Sequence, residues 1–129
     1  MNPPVSVKGI VTVDGRVVLL RNDRDEWELP GGRIDPGEDE VAALGREIRE
    51  ELGIEAVVVP EPLDRYDFAP IPGTLVTIVT YACEPLVGDT ALVLSDEHVD
   101  VGTFSVDDAP ALPDLPPGYR ASIAGHLMA

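Results

Sequence analysis

Glu47, Glu50 and Glu51 stand three and four residues apart in a stretch with helical periodicity, a spacing that gathers carboxylates on one part of a helix surface. Like charges so placed destabilise a helix by about 0.2–0.5 kcal/mol per pair, so the arrangement calls for a compensating cation. Hard divalent cations answer that need: Mg²⁺, with Mn²⁺ as the alternative, prefers carboxylate, carbonyl and water oxygens and shares its shell with substrate phosphates. Upstream, Pro30-Gly31-Gly32 exposes backbone without side-chain cover, so a carbonyl can join a metal shell and an amide can approach an anion. Carboxylates, bare backbone and a cation together describe a pyrophosphate cradle.

These groups need a framework. Val5 to Val13 and Val17 to Leu20 are rich in β-branched and apolar residues and flank Asp14-Gly15, which predicts an opening hairpin. Trp27-Glu28-Leu29 reads as a short extended piece stopped by Pro30-Gly31-Gly32, with a second break at Asp35-Pro36-Gly37. The spacing then predicts a helix from about Glu38 to Leu52, with Val41, Leu44, Gly45, Ile48 and Leu52 in one stripe facing the sheet and Gly53 as its cap. Gly45, costly inside a helix, is expected to mark close packing on that sheet. Ile54 to Val59 reads as a strand, Pro60 to Pro72 as a proline-interrupted hairpin or loop, and Thr74 to Cys83 as a long strand. Residues 84–97 read as a loop with a short strand at Ala91 to Leu94. Val99 to Ser105 reads as another strand, and Tyr119 to Met128 as a closing helix after a cluster of prolines. The expected fold class is α/β, a mixed sheet between helices, formed by residues 1–129 as a single domain.

The run Gly32, five residues, Glu38, seven residues, Arg46-Glu47-Ile48, one residue, Glu50-Glu51, one residue, Gly53-Ile54 resembles the signature box of the Nudix hydrolases at every position. With nine positions specified, chance produces such a run on the order of once in a million tries at ordinary residue frequencies. Trp27 to Gly31 resembles the stretch leading into that box, Glu97-His98 resembles a feature nearer the family's C-terminus, and the element order is similar to its α/β/α sandwich. The resemblance implies that Glu47, Glu50 and Glu51 bind the catalytic metal, that Gly31 or Gly32 offers a carbonyl ligand, and that Glu38 and Arg46 hold loop and helix in place. It further implies hydrolysis of a pyrophosphate bond in a nucleoside diphosphate derivative by a water of lowered pKa, with Glu47 and Glu97 as candidate general bases. Pro70, about sixteen residues after the box, resembles a mark of members that cleave ADP-sugars, so ADP-ribose or a nucleotide sugar leads and a nucleoside triphosphate pyrophosphohydrolase of the housecleaning type comes next.

Other residues carry weaker signals. Arg21, Arg24 and Arg33 lie near the loop and are candidates to contact phosphate, although exposed arginine is the ordinary case. Trp27, Tyr66 and Phe68 are as suited to stacking on a base as to core packing. His98 and His126 are more in keeping with surface or packing roles than with proton transfer, and Cys83, without a partner base nearby, with packing.

Composition limits the partners. The chain has 129 residues, 24 acidic against 9 basic, and a formal net charge of −15, which argues against a nucleic-acid polymer or an anionic membrane. A small anionic nucleotide would be repelled too, unless cations reverse the field at the site. One cysteine and the absence of a signal-like or membrane-spanning run predict a reducing, cytoplasmic setting. A homodimer is compatible with the resemblance. Two rivals compete with an enzyme. A nucleotide sensor that has lost hydrolysis fits poorly with an intact set of box glutamates. An acidic interaction protein leaves the glycine loop unexplained.

Overall fold

A computed structural model describes residues 3–86 and 100–127. Its strands are β1 (Val5–Val13), β2 (Arg16–Arg21), β3 (Trp27–Glu28), β4 (Gly31–Arg33), β5 (Ala56–Val58), β6 (Asp64–Ile71), β7 (Thr74–Pro85) and β8 (Asp100–Phe104). The helices are α1 (Glu40–Leu52) and α2 (Pro117–Leu127), the latter preceded by a 3₁₀ turn at Ala109–Ala111.

The opening hairpin turns through Asp14 at φ 52° and Gly15 at φ 74°, the paired positive φ values that a two-residue turn between twisted strands demands. β1 then runs parallel to β7, from Val5 opposite Thr77 to Val11 opposite Cys83, while the remaining pairings are antiparallel, giving a mixed sheet. On its other edge β1 changes partner. Ser6 to Lys8 pair with β4, and Thr12 and Val13 pair with β2. Between them the Gly9 N–H donates to the Pro30 carbonyl at 2.9 Å, so the sheet opens where the glycine turn sits.

Alternation along the central strands sends side chains to two separate cores. Val7, Val11, Val79 and Tyr81 join Leu44, Ile48 and Leu52 of α1, whereas Ile10, Val76 and Ile78 join Tyr119 and Ile123 of α2. Burial on both faces explains why Val76 to Tyr81 are all shielded even though Thr77 and Thr80 are among them, and the layering is an α/β/α sandwich.

Four expectations need adjustment. The segment between Pro60 and Pro72, read as a proline-interrupted hairpin or loop, is largely the strand β6, the first arm of an antiparallel hairpin with β7 whose ladder becomes irregular between Phe68 and Ile71. A proline is tolerated there because such irregularity removes the need for its missing N–H. Gly45 is not packed on the sheet, since a Cβ there would meet nothing within 4 Å. The helix starts later than expected, at Glu40, because the Asp39 side chain accepts from the Ala42 N–H at 2.7 Å and caps it. Glu51 does not share an exposed face with Glu50 but is buried at 4% exposure, because the wheel places it beside Leu44 and Ile48 at the border of the apolar stripe. The strand expected at Ala91 to Leu94 lies outside the described residues.

Candidate active site

The site begins at the two ends of α1. Asp39 caps the start, and Gly53, at φ 70°, closes the end by donating its N–H to the Arg49 carbonyl at 3.0 Å. With the helix fixed, Arg46 becomes the hub of its acidic side. Its Nε and Nη2 donate to the two Glu38 oxygens at 2.7 and 3.0 Å, a bidentate pair, and Nη2 also reaches the Arg33 carbonyl at 3.1 Å. Nη1 donates to Glu47 and to Glu50, each at 3.1 Å. One guanidinium thereby joins the loop carboxylate, the end of β4 and two helix glutamates. Its hydrogen bonds hold the Glu38 carboxyl below the usual glutamate range.

The two glycines have different tasks. Gly31 is at φ 138°, and a Cβ on it would lie 2.0 Å from the Val7 carbonyl, so any side chain would drive β4 off β1. Gly32 faces α1, where a Cβ would fall 2.8 Å from the Glu47 carboxylate carbon. The absence of a side chain at Gly32 therefore lets Glu47 lie directly on the backbone. Beside it, the Gly31 N–H donates to Glu51 Oε1 at 2.7 Å. Burial pushes Glu51 up to about 7, only partly offset by Lys8 and the Gly31 N–H, and burial likewise raises Glu47 against the opposing pull of Arg46.

The glutamates do not converge as tightly as their spacing predicts. Among the described residues no three histidine, cysteine, aspartate or glutamate side chains form a group close enough to hold a metal ion. Like charges spread and take the nearest donors: Glu50 stays exposed on Arg46, while Glu51 turns inward to the Gly31 amide. The donor set nevertheless suits a hard cation. It is all oxygen, it is anionic, and it surrounds a backbone kept bare at Gly32.

A residue that sequence reasoning left unassigned lies on the opposite side of the turn. Lys8 is buried on β1, and its Nζ donates to the carbonyls of Leu29 at 3.2 Å and Gly31 at 3.4 Å. The ammonium also stands 5.8 Å from the centroid of the Tyr119 ring. Tyr119 in turn lines a recess of about 150 Å³ together with Asn22, Arg24, Glu26, Glu28, Phe68 and Pro116. Asn22 organises that recess: its Oδ1 accepts from the N–H groups of Arg24 and Glu26, and its Nδ2 donates to the Glu28 carboxylate at 3.3 Å. An asparagine near paired acids is a signal present in the sequence, but only the fold shows that it is buried and that it lines one recess with Phe68 and Tyr119.

The remaining candidates are dispersed. Arg21 lies over the Trp27 ring at 5.1 Å and donates to Asp114, and Trp27 meets Phe104 edge-on at 4.9 Å, so these side chains pack with one another. Arg33 is exposed at the end of β4. Tyr66 packs beside Gly118 of α2, and Cys83 is buried, its thiol pushed up to about 12 by burial. Glu97 and His98 lie outside the described residues.

Comparison with known proteins identifies the family and the fold. The model of the NUDIX domain matches residues 2–125. A CTP pyrophosphohydrolase of Escherichia coli is 42% identical over 57 residues, 40% of this chain and 42% of that protein. A putative 8-oxo-dGTP diphosphatase of Bacillus subtilis is 47% identical over 51 residues, 38% of this chain and 34% of that protein. Both matches span less than half the length of these curated relatives. The crystal structure of a MutT NUDIX hydrolase from Burkholderia pseudomallei superposes with a TM-score of 0.80 at 28% identity, covering 97% of this chain and 98% of the other. With a glycine turn pressed onto an acid-bearing helix inside that sandwich, and a family model matching almost end to end, this chain belongs to the NUDIX domain family.

Proposed function

We propose that the chain is a divalent-cation-dependent pyrophosphohydrolase of nucleoside triphosphates, with the phosphates at the Gly32–Glu47 contact and the base in the recess between Phe68 and Tyr119. The observation that carries this reading is that bare backbone at Gly32, with the Glu47 carboxylate lying on it. Glu47, Glu51, Glu50 and the Gly32 carbonyl would hold Mg²⁺, or Mn²⁺ in its place. A cation there neutralises phosphate oxygens and makes a water more acidic.

The chain's own groups do the rest. Among the described residues Glu47 is the carboxylate placed to accept the proton of the attacking water, since it lies against the bare Gly32 backbone and Arg46 keeps it oriented. Arg46 and Glu38 fix the loop against the helix, so the reacting phosphate and the base keep their spacing. In the recess, the carboxylates of Glu26 and Glu28 are acceptors, which suits bases that carry an amino group over uracil and thymine. The relatives' names, CTP pyrophosphohydrolase and putative 8-oxo-dGTP diphosphatase, support a triphosphate of such a base. A nucleoside diphosphate derivative such as ADP-ribose is the second reading, favoured by the position of Pro70, although the irregular β6–β7 pairing already accounts for a proline there.

The test is product release from CTP, GTP, ATP, UTP, dTTP, 8-oxo-dGTP and ADP-ribose with Mg²⁺, for wild type and Glu51→Gln. Metal-dependent turnover of amino-bearing triphosphates, lost in the variant, supports the first reading. Turnover confined to ADP-ribose selects the second. Binding without turnover of any compound replaces both with a nucleotide sensor.

A further inference from the structure

The one lysine of the chain is buried where most of β1 is apolar, a position in which an ammonium is unfavourable unless its donors are engaged. Packing alone would be met by another β-branched residue. The charge has a more specific use. Lys8 sits opposite Gly31 in the β1–β4 ladder, beside the point where β1 exchanges β4 for β2. Three successive carbonyls of the turn are bound from β1: Leu29 and Gly31 by the Lys8 ammonium, and Pro30 by the Gly9 N–H between them. The fourth polar group, the Gly31 N–H, is taken by Glu51. A lysine is suited to this place because its head offers three donors and no acceptor, so two carbonyls and the Tyr119 face can share it.

We infer that Lys8 is a positioning residue whose buried ammonium locks the Leu29–Gly31 turn, so that Gly32 stays pressed against Glu47 while Tyr119 is held at the wall of the recess. The inference rests on the hydrolase reading for its catalytic consequence, but the locking of the turn can be measured without turnover. Glycine backbone has little conformational restraint of its own, so the turn depends on external bonds for its shape. Removing the ammonium frees two of the three carbonyls and withdraws the positive charge that partly offsets the burial of Glu51, while the Gly9 bond to Pro30 does not depend on it.

The experiment compares wild type, Lys8→Met, which keeps the length and apolar stem, and Lys8→Arg, which can still donate to two carbonyls. Amide hydrogen exchange at Gly31 and Gly32 is measured in protein without added metal, with β7 amides as the internal control. Lys8→Met is expected to accelerate exchange at the two glycines by about tenfold or more over the β7 control. With substrate and Mg²⁺, it is expected to lower kcat by about thirtyfold with KM within about threefold, and Lys8→Arg to recover part of both effects. Glycine exchange at the wild-type rate in Lys8→Met overturns the inference. So does uniform loss of protection across β7, because that is the signature of a packing role. If wild type turns over no substrate, the hydrolase reading fails while the glycine exchange still decides whether Lys8 locks the turn.

Discussion

The two ends of the candidate site are built in different ways. The end formed by the glycine turn and α1, from Gly31 to Leu52, is one continuous segment whose caps, glycines and Arg46 bonds are mostly local in sequence. The recess is assembled from Asn22 to Glu28, Phe68, and Pro116 to Tyr119, which meet only because β6 lies on β7 and α2 covers that face of the sheet. Locally encoded chemistry can be held rigid by neighbours a few residues away, which favours keeping a reaction constant. A recess made from distant segments can change its lining without disturbing that chemistry. Lys8 joins the two ends, with its ammonium on the turn and its cationic head facing Tyr119.

The strongest test of this contrast lies in the adjacent glycines. Gly31→Ala should prevent stable folding or cost on the order of 3 kcal/mol or more, because its Cβ meets the Val7 backbone at 2.0 Å and its φ is 138°. The nearest atoms to a Cβ at Gly32 belong to the far end of the Glu47 side chain, which can turn aside, so chemical denaturation of Gly32→Ala should stay within about 1 kcal/mol of wild type while activity falls about a hundredfold. Equal loss of stability in both variants would mean that the turn is merely packed, without a division between scaffold and chemistry.

Glu51 gives an effect on stability of opposite sign to its effect on activity. Its pKa is raised from 4.5 to about 7 by burial, so the folded chain binds the proton more tightly than the unfolded chain. Without divalent cation, stability should therefore fall as pH rises from about 4.5 to about 7 and level off above. Glu51→Gln keeps an acceptor for the Gly31 N–H and removes the charge, so it should be more stable than wild type at pH 8, by on the order of 1–3 kcal/mol, and similar at pH 4. Thermal melts across that range check the sign. A variant less stable at pH 8 would mean that the carboxylate is better compensated than its burial implies.

Phe68→Ala addresses the recess alone. Phe68 is 37% exposed, so its loss should change stability little, while KM for a nucleotide should rise about tenfold with kcat kept, as expected for loss of base stacking worth about 1–3 kcal/mol. A fall in kcat instead would place the aromatic wall in the reacting end. The smallest expected effect is at Gly45, where a Cβ meets nothing within 4 Å: Gly45→Ala should stabilise the helix by up to about 1 kcal/mol without altering activity.

Gly45 also shows where sequence reasoning misled. A glycine at the edge of an apolar stripe suggests a close approach, but the face that packs on the sheet is centred on Ala43, Leu44, Ile48, Glu51 and Leu52, and Gly45 lies beside it rather than in it. In the proline-rich segment before β7 residue types left hairpin and loop open, and pairing with a long neighbour decided for the hairpin, overriding the breakers and leaving only an irregular step between Phe68 and Ile71.

What the sequence determined by itself was everything set by spacing along the chain: the Asp14-Gly15 hairpin, the α1 helix with its glycine end cap, and the order of glycine turn, Glu38, Arg46 and the helix glutamates. These depend on bonds between near neighbours, so residue type and interval suffice. The tertiary structure alone decided that Glu51 turns inward beneath Gly31, that Lys8 closes the turn from a strand some twenty residues earlier, and that Phe68 faces Tyr119 across a recess. Those outcomes depend on which strands become neighbours and on the burial that follows. That is a property of the whole sheet, because the same side chain is solvated or desolvated according to what packs over it.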